Sequence, residues 1–220
     1  KAAGVTIFPV HSPSSTSIKN QYHTPDREYR TCTALSVIEP YTVEQIPDVE
    51  AEVFHIARLM HGDIGNEIIE YISKRGKTAV DVQCFLRCVE NGNMVFRDWE
   101  KKLEYLPLIT YLKTDAAEAK ILTGLEDRVE AAKVLHSWGA KEVMITHNTD
   151  VLVYDGKKIY MEPLKARNLS GRTGRGDTCF SGYITERINN DIESSLKFAA
   201  ALVSLKMETP GPFMGTREDV

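Results

Sequence analysis

The 220 residues contain no Lys/Arg tract, no apolar run of membrane-spanning length and no cysteine pair spaced as C-x-x-C. The first absence removes the electrostatic footprint that nucleic acid or an anionic membrane surface requires. The near balance of 27 basic and 31 acidic residues agrees with it. The second leaves no segment able to cross a bilayer as a helix. Cys84 and Cys88 stand one helical turn apart, but no nearby His or Cys completes a zinc set. Reduced thiols and a cytoplasmic location are therefore expected. Arg175-Gly176-Asp177 and the sequon at Asn168 would suit an extracellular protein, yet such short motifs arise by chance and nothing else supports secretion. Internal repeats and low-complexity tracts are lacking too. With 42% hydrophobic residues, the chain is expected to form one globular domain over residues 1–220.

What the sequence does have is glycine in one place. Gly171–Gly182 reads G-R-T-G-R-G-D-T-C-F-S-G, between a strand-like stretch (159–164, then 166–169) and an apolar helical pattern through Phe180, Tyr183, Ile184 and Ile188. Bare backbone N–H groups at a helix N-terminus suit a phosphate or a developing oxyanion. The spacing Gly171-xxxx-Gly176-x-Thr178 is that of a Walker A loop, except that Asp177 takes the place of the lysine. A carboxylate beside an anion cradle repels phosphate. It fits a general base that deprotonates an attacking hydroxyl, and it fits equally an Asp that caps a helix.

Along the chain, residues 14–37 alternate as a β-hairpin, with Thr24-Pro25-Asp26 as its turn. Regular βα periodicity begins near Glu52. Val53–Ile56 reads as a strand, and Asp63 as the N-cap of a helix with Ile64, Ile68, Ile69 and Ile72 on one face. Further strands are expected at 78–82, 108–112 and 143–145. A helix after Gly124 buries Leu125, Val129, Ala132, Leu135 and Trp138, and a hairpin turns at Asp155-Gly156. Asp115 and Glu118 share a face at a helix start, where two carboxylates either hold Mg²⁺ through waters or compensate the helix dipole. A last helix carries Ile192, Leu196, Ala199, Ala200 and Val203. Alternating elements with buried strands predict an α/β fold, a mainly parallel sheet with helices on both faces.

Thr173–Gly182 resembles the C-terminal signature of the ribokinase-like, or PfkB-type, carbohydrate kinases, D-T-x-G-A-G-D-x-F-x-G-G. The resemblance implies the three-layer ribokinase-like sandwich with a small β lid, formed here by residues 14–37 and able to pair two subunits as a homodimer. It implies ATP and Mg²⁺ as cofactors and a sugar or polyol as the phosphorylated partner, with no nucleic acid and no membrane involved. Asp177 would be the base, and Gly174, Arg175 and Gly176 the anion hole. Thr146, Asn148, Arg172 and Thr173 would lie along the donor, and Asp81, Gln83 and Arg87 near the substrate. Asp115 and Glu118 correspond to a motif tied to magnesium.

Five departures stand out: Gly171 replaces the first Asp of the signature, Arg172 its Thr and Arg175 the usual Ala, Asp115 replaces the Asn of the magnesium motif, and Asn148 replaces a glycine that lines the nucleotide. The family's N-terminal βαβ segment and its last residues also lack counterparts, so the sequence is expected to be part of a longer chain. A nucleoside or vitamin kinase of the same superfamily fits the same motifs. A sugar- or nucleotide-binding module that lost turnover is a second rival. A dinucleotide-binding oxidoreductase fails, because its glycine motif belongs after the first strand and in a different order.

Overall fold

Two sheets organise the computed structural model, which describes residues 4–24 and 30–220. Strands β1 (Ser17–Tyr22) and β2 (Arg30–Ser36) form the expected hairpin. Its predicted turn at Pro25-Asp26 lies outside the described residues. The chain then enters the larger sheet through β3 (Val53–Ile56), α1 (Glu67–Ser73) and β4 (Lys77–Asp81). After a single turn, α2 (Gln83–Leu86), it returns to the first sheet as β5 (Arg87–Glu90) and β6 (Asn93–Phe96). Asn91 (φ 50°) and Gly92 (φ 79°) turn this second hairpin, both with the positive φ that a tight β-turn of this hand requires.

A short helix, α3 (Lys102–Tyr105), leads to β7 (Tyr111–Asp115), α4 (Ala116–Thr123), α5 (Arg128–Ser137) and β8 (Glu142–Thr146). Strands β9 (Asp150–Tyr154) and β10 (Ile159–Pro163) precede α6 (Arg175–Glu186) and α7 (Ile192–Met207). The larger sheet has the order β10-β9-β8-β7-β4-β3, in which β3, β4, β7 and β8 run parallel and β9 and β10 antiparallel. The smaller sheet has the order β1-β2-β6-β5.

Side chains on successive strand positions point to opposite faces, and both faces here are covered. Val80, Leu112, Val143, Ile145 and Leu152 pack in one core with Ile68, Ile69, Leu122 and Leu135 of α1, α4 and α5. Ala79, Tyr111, Met144, Val151 and Val153 pack in a second core with Phe180, Tyr183, Leu196 and Val203 of α6 and α7. This is the three-layer arrangement the sequence predicts, and it aligns the carboxyl ends of β4, β7 and β8 beneath the start of α6.

Four local expectations change. Asp63 caps no helix: its carboxylate accepts the backbone N–H groups of Leu59 (3.2 Å) and Met60 (3.0 Å) and the Thr16 hydroxyl (2.6 Å), tying the lid to the sheet. The helix starts later, with Asn66 as its N-cap. The strand expected at 108–112 begins at Tyr111, because Leu106–Leu108 with Pro107 forms a 3₁₀ turn. Leu125 is exposed rather than buried, since Gly124 ends α4 with φ 76° and α5 does not begin until Arg128. Residues 166–169 are not a strand: this stretch hydrogen-bonds to α7 and the residues after it instead of to the sheet, from Lys165 N–H to Ser204 Oγ (2.9 Å) and from Arg167 N–H to Glu208 Oε1 (2.9 Å).

Candidate active site

Gly174 is the N-cap of α6 with φ 83°, a conformation that favours glycine. Thr178 N–H donates to Gly174 O (3.0 Å) as the helix begins, and Arg175 N–H donates to Arg172 O (3.1 Å). The N–H of Arg175 is thus spent within the turn, so the anion-facing donors of this N-terminus fall to its neighbours in the first turn. Asp177 sits in that first turn, exposed, at the rim of a cleft of about 470 Å³. The same cleft is lined by Gln83, Arg87, Lys113, Asp115, Thr146, Asn148, Arg172, Thr173, Gly174, Arg175 and Gly176, and the lid contributes Ile18 and Asn20. The expected site residues therefore converge at the carboxyl ends of the parallel strands, where ligands of such sheets bind. Asp81 and Glu118 lie just behind the wall.

Asn148, at the position where the signature family carries glycine, acts through its side chain. Its Oδ1 accepts Arg172 Nη2 (2.9 Å) and Arg175 Nη1 (2.8 Å), so one amide oxygen gathers two guanidinium groups at the same end of the cleft. Thr146 is buried at the end of β8, its hydroxyl 3.5 Å from Thr114 O. Beside it, Asp150 accepts Arg128 Nη1 (2.6 Å) and the Thr149 hydroxyl (2.7 Å), and His147 Nδ1 meets Thr149 Oγ1 (3.0 Å).

Beneath the cleft lie two ion pairs. Lys113 Nζ donates to Asp81 Oδ2 at 2.8 Å, both side chains being at most 5% exposed. Burial raises the Asp81 carboxyl to about 6 despite the nearby ammonium. Burial acts to lower Lys113, but the charges of Asp81 and Glu118 outweigh it and hold the ammonium above its ordinary range. Arg87 Nη2 reaches Glu118 Oε1 at 3.3 Å. Gln83 is fixed by its own N–H to Asp81 Oδ1 (3.2 Å) and by Nε2 to Arg58 O (3.0 Å).

The magnesium reading meets a geometry already in use. Asp115 is the N-cap of α4, its Oδ1 accepting Glu118 N–H (2.8 Å), and Glu118 Oε2 accepts Asp115 N–H (3.0 Å). With Oε1 on Arg87, both oxygens of fully buried Glu118 are occupied by protein donors. Among the described residues no group of three or more His, Cys, Asp or Glu side chains is placed to hold a metal. Of this pair, only Asp115 lines the cleft, and its Oδ2 has no hydrogen bond within the described residues. The protein fits Mg²⁺ only as an ion held largely by water and donor phosphates, with Asp115 in reach and Glu118 behind it.

Sequence reasoning missed Lys113 and Lys206. Lys206, buried in the last turn of α7, donates from Nζ to Gly171 O and Thr173 O. Neither lysine carries a sequence signal, because a buried charge reads like any surface lysine until its partners are known. The hairpin of β5 and β6 was also missed, although Asn91-Gly92 is a strong hairpin signal.

Comparison with known proteins agrees with this geometry. A family model described as pfkB family carbohydrate kinase matches residues 2–216. A solved pyrophosphate-dependent kinase of the ribokinase family, in complex with sulfate, is 38% identical with a TM-score of 0.87, over 94% of this chain and 74% of that one. A pyrophosphate-dependent kinase of that family complexed with a pyrophosphate analog and myo-inositol is 37% identical with a TM-score of 0.86, over the same shares of 94% and 74%. Among curated proteins, the cytidine kinase of Thermococcus kodakarensis is 43% identical over 70 residues, which span 30% of this chain and only 25% of that protein. Residues 2–216 thus carry the family pattern from the lid to the last turn, and the chain belongs to the pfkB family of carbohydrate kinases.

Proposed function

We propose that the protein transfers a phosphoryl group to a hydroxyl of a polyol or sugar, with Asp177 as general base. The observation that carries this reading is the Asp177 carboxylate itself. It stands exposed in the first turn of α6, in a cleft to which Arg87, Lys113, Arg172 and Arg175 bring four cations and Asp115 a second carboxylate, and makes no hydrogen bond to any described residue. A helix cap would be bonded to the N–H groups it caps, as Asp191 is to Ser194 at the start of α7 (2.7 Å).

An acceptor hydroxyl between Asp177 and the lid residues Ile18 and Asn20 would lose its proton to the carboxylate as its oxygen attacks the terminal phosphorus of the donor, whose bridging P–O bond breaks to release orthophosphate from pyrophosphate, or ADP from ATP. First-turn N–H groups and the surrounding cations would stabilise the charge on the transferring group. Magnesium, when bound with the donor, offsets phosphate charge. Asp115 would orient its water shell, while Arg87 and Glu118 keep the wall behind it fixed.

Inorganic pyrophosphate is the donor that this cleft favours. Arg172 and Arg175 meet at its donor end, and among the described residues no Phe, Tyr or Trp lines it to hold an adenine. The kinship to pyrophosphate-dependent kinases supports the same donor, and the bound myo-inositol of one of them supports a cyclic polyol as acceptor. ATP is the second reading, since Thr146 and Asn148 occupy the positions that line the nucleotide in the resembling family; a nucleoside acceptor is favoured only by the short match to a cytidine kinase. The reading includes a cytoplasmic location. It also includes pairing of two subunits through the lid, which exposes Leu35 and belongs to the smaller sheet that also exposes Val89 and Phe96.

The test is turnover of Mg-pyrophosphate and MgATP across inositols, sugars and nucleosides. Polyol-dependent consumption of pyrophosphate supports the reading. Saturable ligand binding with no transfer from either donor would replace it with a binding module.

A further inference from the structure

The glycine-rich turn is attached to α7 by more than packing. Gly171 N–H donates to Met207 O (2.7 Å), the Ser170 hydroxyl to Glu208 O (2.6 Å), and Lys206 Nζ reaches forward to Gly171 O and Thr173 O. The Lys206 ammonium lies 3.8 Å from where a Cβ on Gly174 would stand, directly behind the cap of α6. On the other side, Lys113 Nζ is 2.9 Å from the corresponding point at Gly176. Two buried ammonium groups, one from the sheet and one from α7, therefore bracket the turn.

A bound anion would offset the positive charge that this placement concentrates around the turn. A helix N-terminus already carries partial positive charge, and cations beside it are unfavourable. Burying an ammonium adds to the cost. The last turn of α7 offers Lys206 a favourable dipole, but from there its side chain extends to the carbonyls on the outer side of the turn. In a trans peptide the N–H lies on the edge opposite the carbonyl, so drawing these carbonyls toward Lys206 turns the N–H groups of Arg172 and Gly174 away from it.

We infer that Lys206 is a positioning residue of the anion cradle: its ammonium pulls the Gly171 and Thr173 carbonyls back so that the N–H of Gly174, together with those of Gly176 and Asp177 in the first turn, is presented to a phosphate, and it adds fixed positive charge behind them. The inference rests on the phosphoryl-transfer reading for its kinetic consequence but not for its anion-binding consequence.

The experiment compares wild type with Lys206→Met, which keeps length and loses both charge and donor, and Lys206→Gln, which keeps a donor without charge. Melting temperature fixes the folded fraction, and calorimetry measures binding of inorganic pyrophosphate to the folded protein. Per folded molecule, Lys206→Met is expected to weaken pyrophosphate binding by about tenfold or more and to lower kcat by about 10²-fold, with the acceptor KM within a factor of about two. Lys206→Gln is expected to fall between. A lower melting temperature with unchanged pyrophosphate affinity and unchanged kcat per folded molecule would make Lys206 merely structural and overturn the inference. If wild type transfers no phosphoryl group, the kinase reading fails, and the pyrophosphate affinities alone decide the role of Lys206. Should Lys206→Met not fold, Lys206→Gln decides it by the same two readouts.

Discussion

Lys113 and Asp81, on adjacent parallel strands, meet at 2.8 Å beneath the turn that holds Gly176. The pair places a full positive charge under an anion site while hiding its counter-charge behind the sheet. Burial is the largest influence on Asp81, and it raises the carboxyl to about 6 from an ordinary 3.8. A raised acid contributes stability that is complete below the unfolded value and is lost as pH rises through the folded one. The stability of wild type relative to Asp81→Asn is therefore expected to fall between about pH 4 and pH 6.5, by up to about 3 kcal/mol for a two-unit shift. Denaturant unfolding across that range measures it. A relative stability that rises with pH would show that Lys113 dominates and that the carboxyl titrates low.

Glu118 is committed to Arg87 and to the α4 cap, with 1% of its side chain exposed. Glu118→Gln leaves the Arg87 guanidinium buried without its counter-charge. Losing one partner of a buried pair costs about 3–5 kcal/mol, which lowers the melting temperature of a domain this size by about 10 °C. Thermal unfolding reads the loss. A variant with unchanged melting temperature but a strongly raised magnesium requirement would make Glu118 a metal ligand instead.

Gly171 departs from the signature Asp for a steric reason. A Cβ there would stand 1.9 Å from Thr209 O and 2.7 Å from Lys206 O, both backbone atoms that cannot rotate away. Gly171→Ala is expected to destabilise by at least the 1–3 kcal/mol typical of overpacking, about 1–3 kcal/mol or more, and to loosen the turn. The midpoint of urea unfolding and the exchange rate of amides at 171–177 check both. A variant as stable as wild type would show that the end of α7 yields easily.

The parts of this molecule that were legible in the sequence are those written in periodicity and glycine. Val143–Ile145, Asp155-Gly156 and Thr173–Gly182 each carry a local pattern, and the structure builds a strand, a hairpin and a helix start from them. The extent of β7 was not legible, because its second half, Lys113-Thr114-Asp115, is polar and yet mostly buried. Such residues enter a core only when partners on other strands satisfy them, and nothing within the segment announces those partners. The same holds for Asp63, whose partners lie on the lid and in the loop after β3. Within the site, the residues of the turn could be read locally, whereas the roles of Asn148, Lys113 and Lys206 exist only once β7, β8 and α7 are side by side.

The central claim is that Asp177 is the base. The measurement is the single-turnover rate of phosphoryl transfer from Mg-pyrophosphate or MgATP to the best polyol acceptor, for wild type and Asp177→Asn, with acceptor affinity determined separately. The replacement is nearly isosteric, and the exposed Asp177 side chain has no hydrogen bond among the described residues to lose, so fold and affinity are expected to persist. The account predicts a rate lower by at least about 10²-fold at unchanged melting temperature. A variant that transfers phosphate within about a factor of three of wild type, far short of a lost general base, would contradict it.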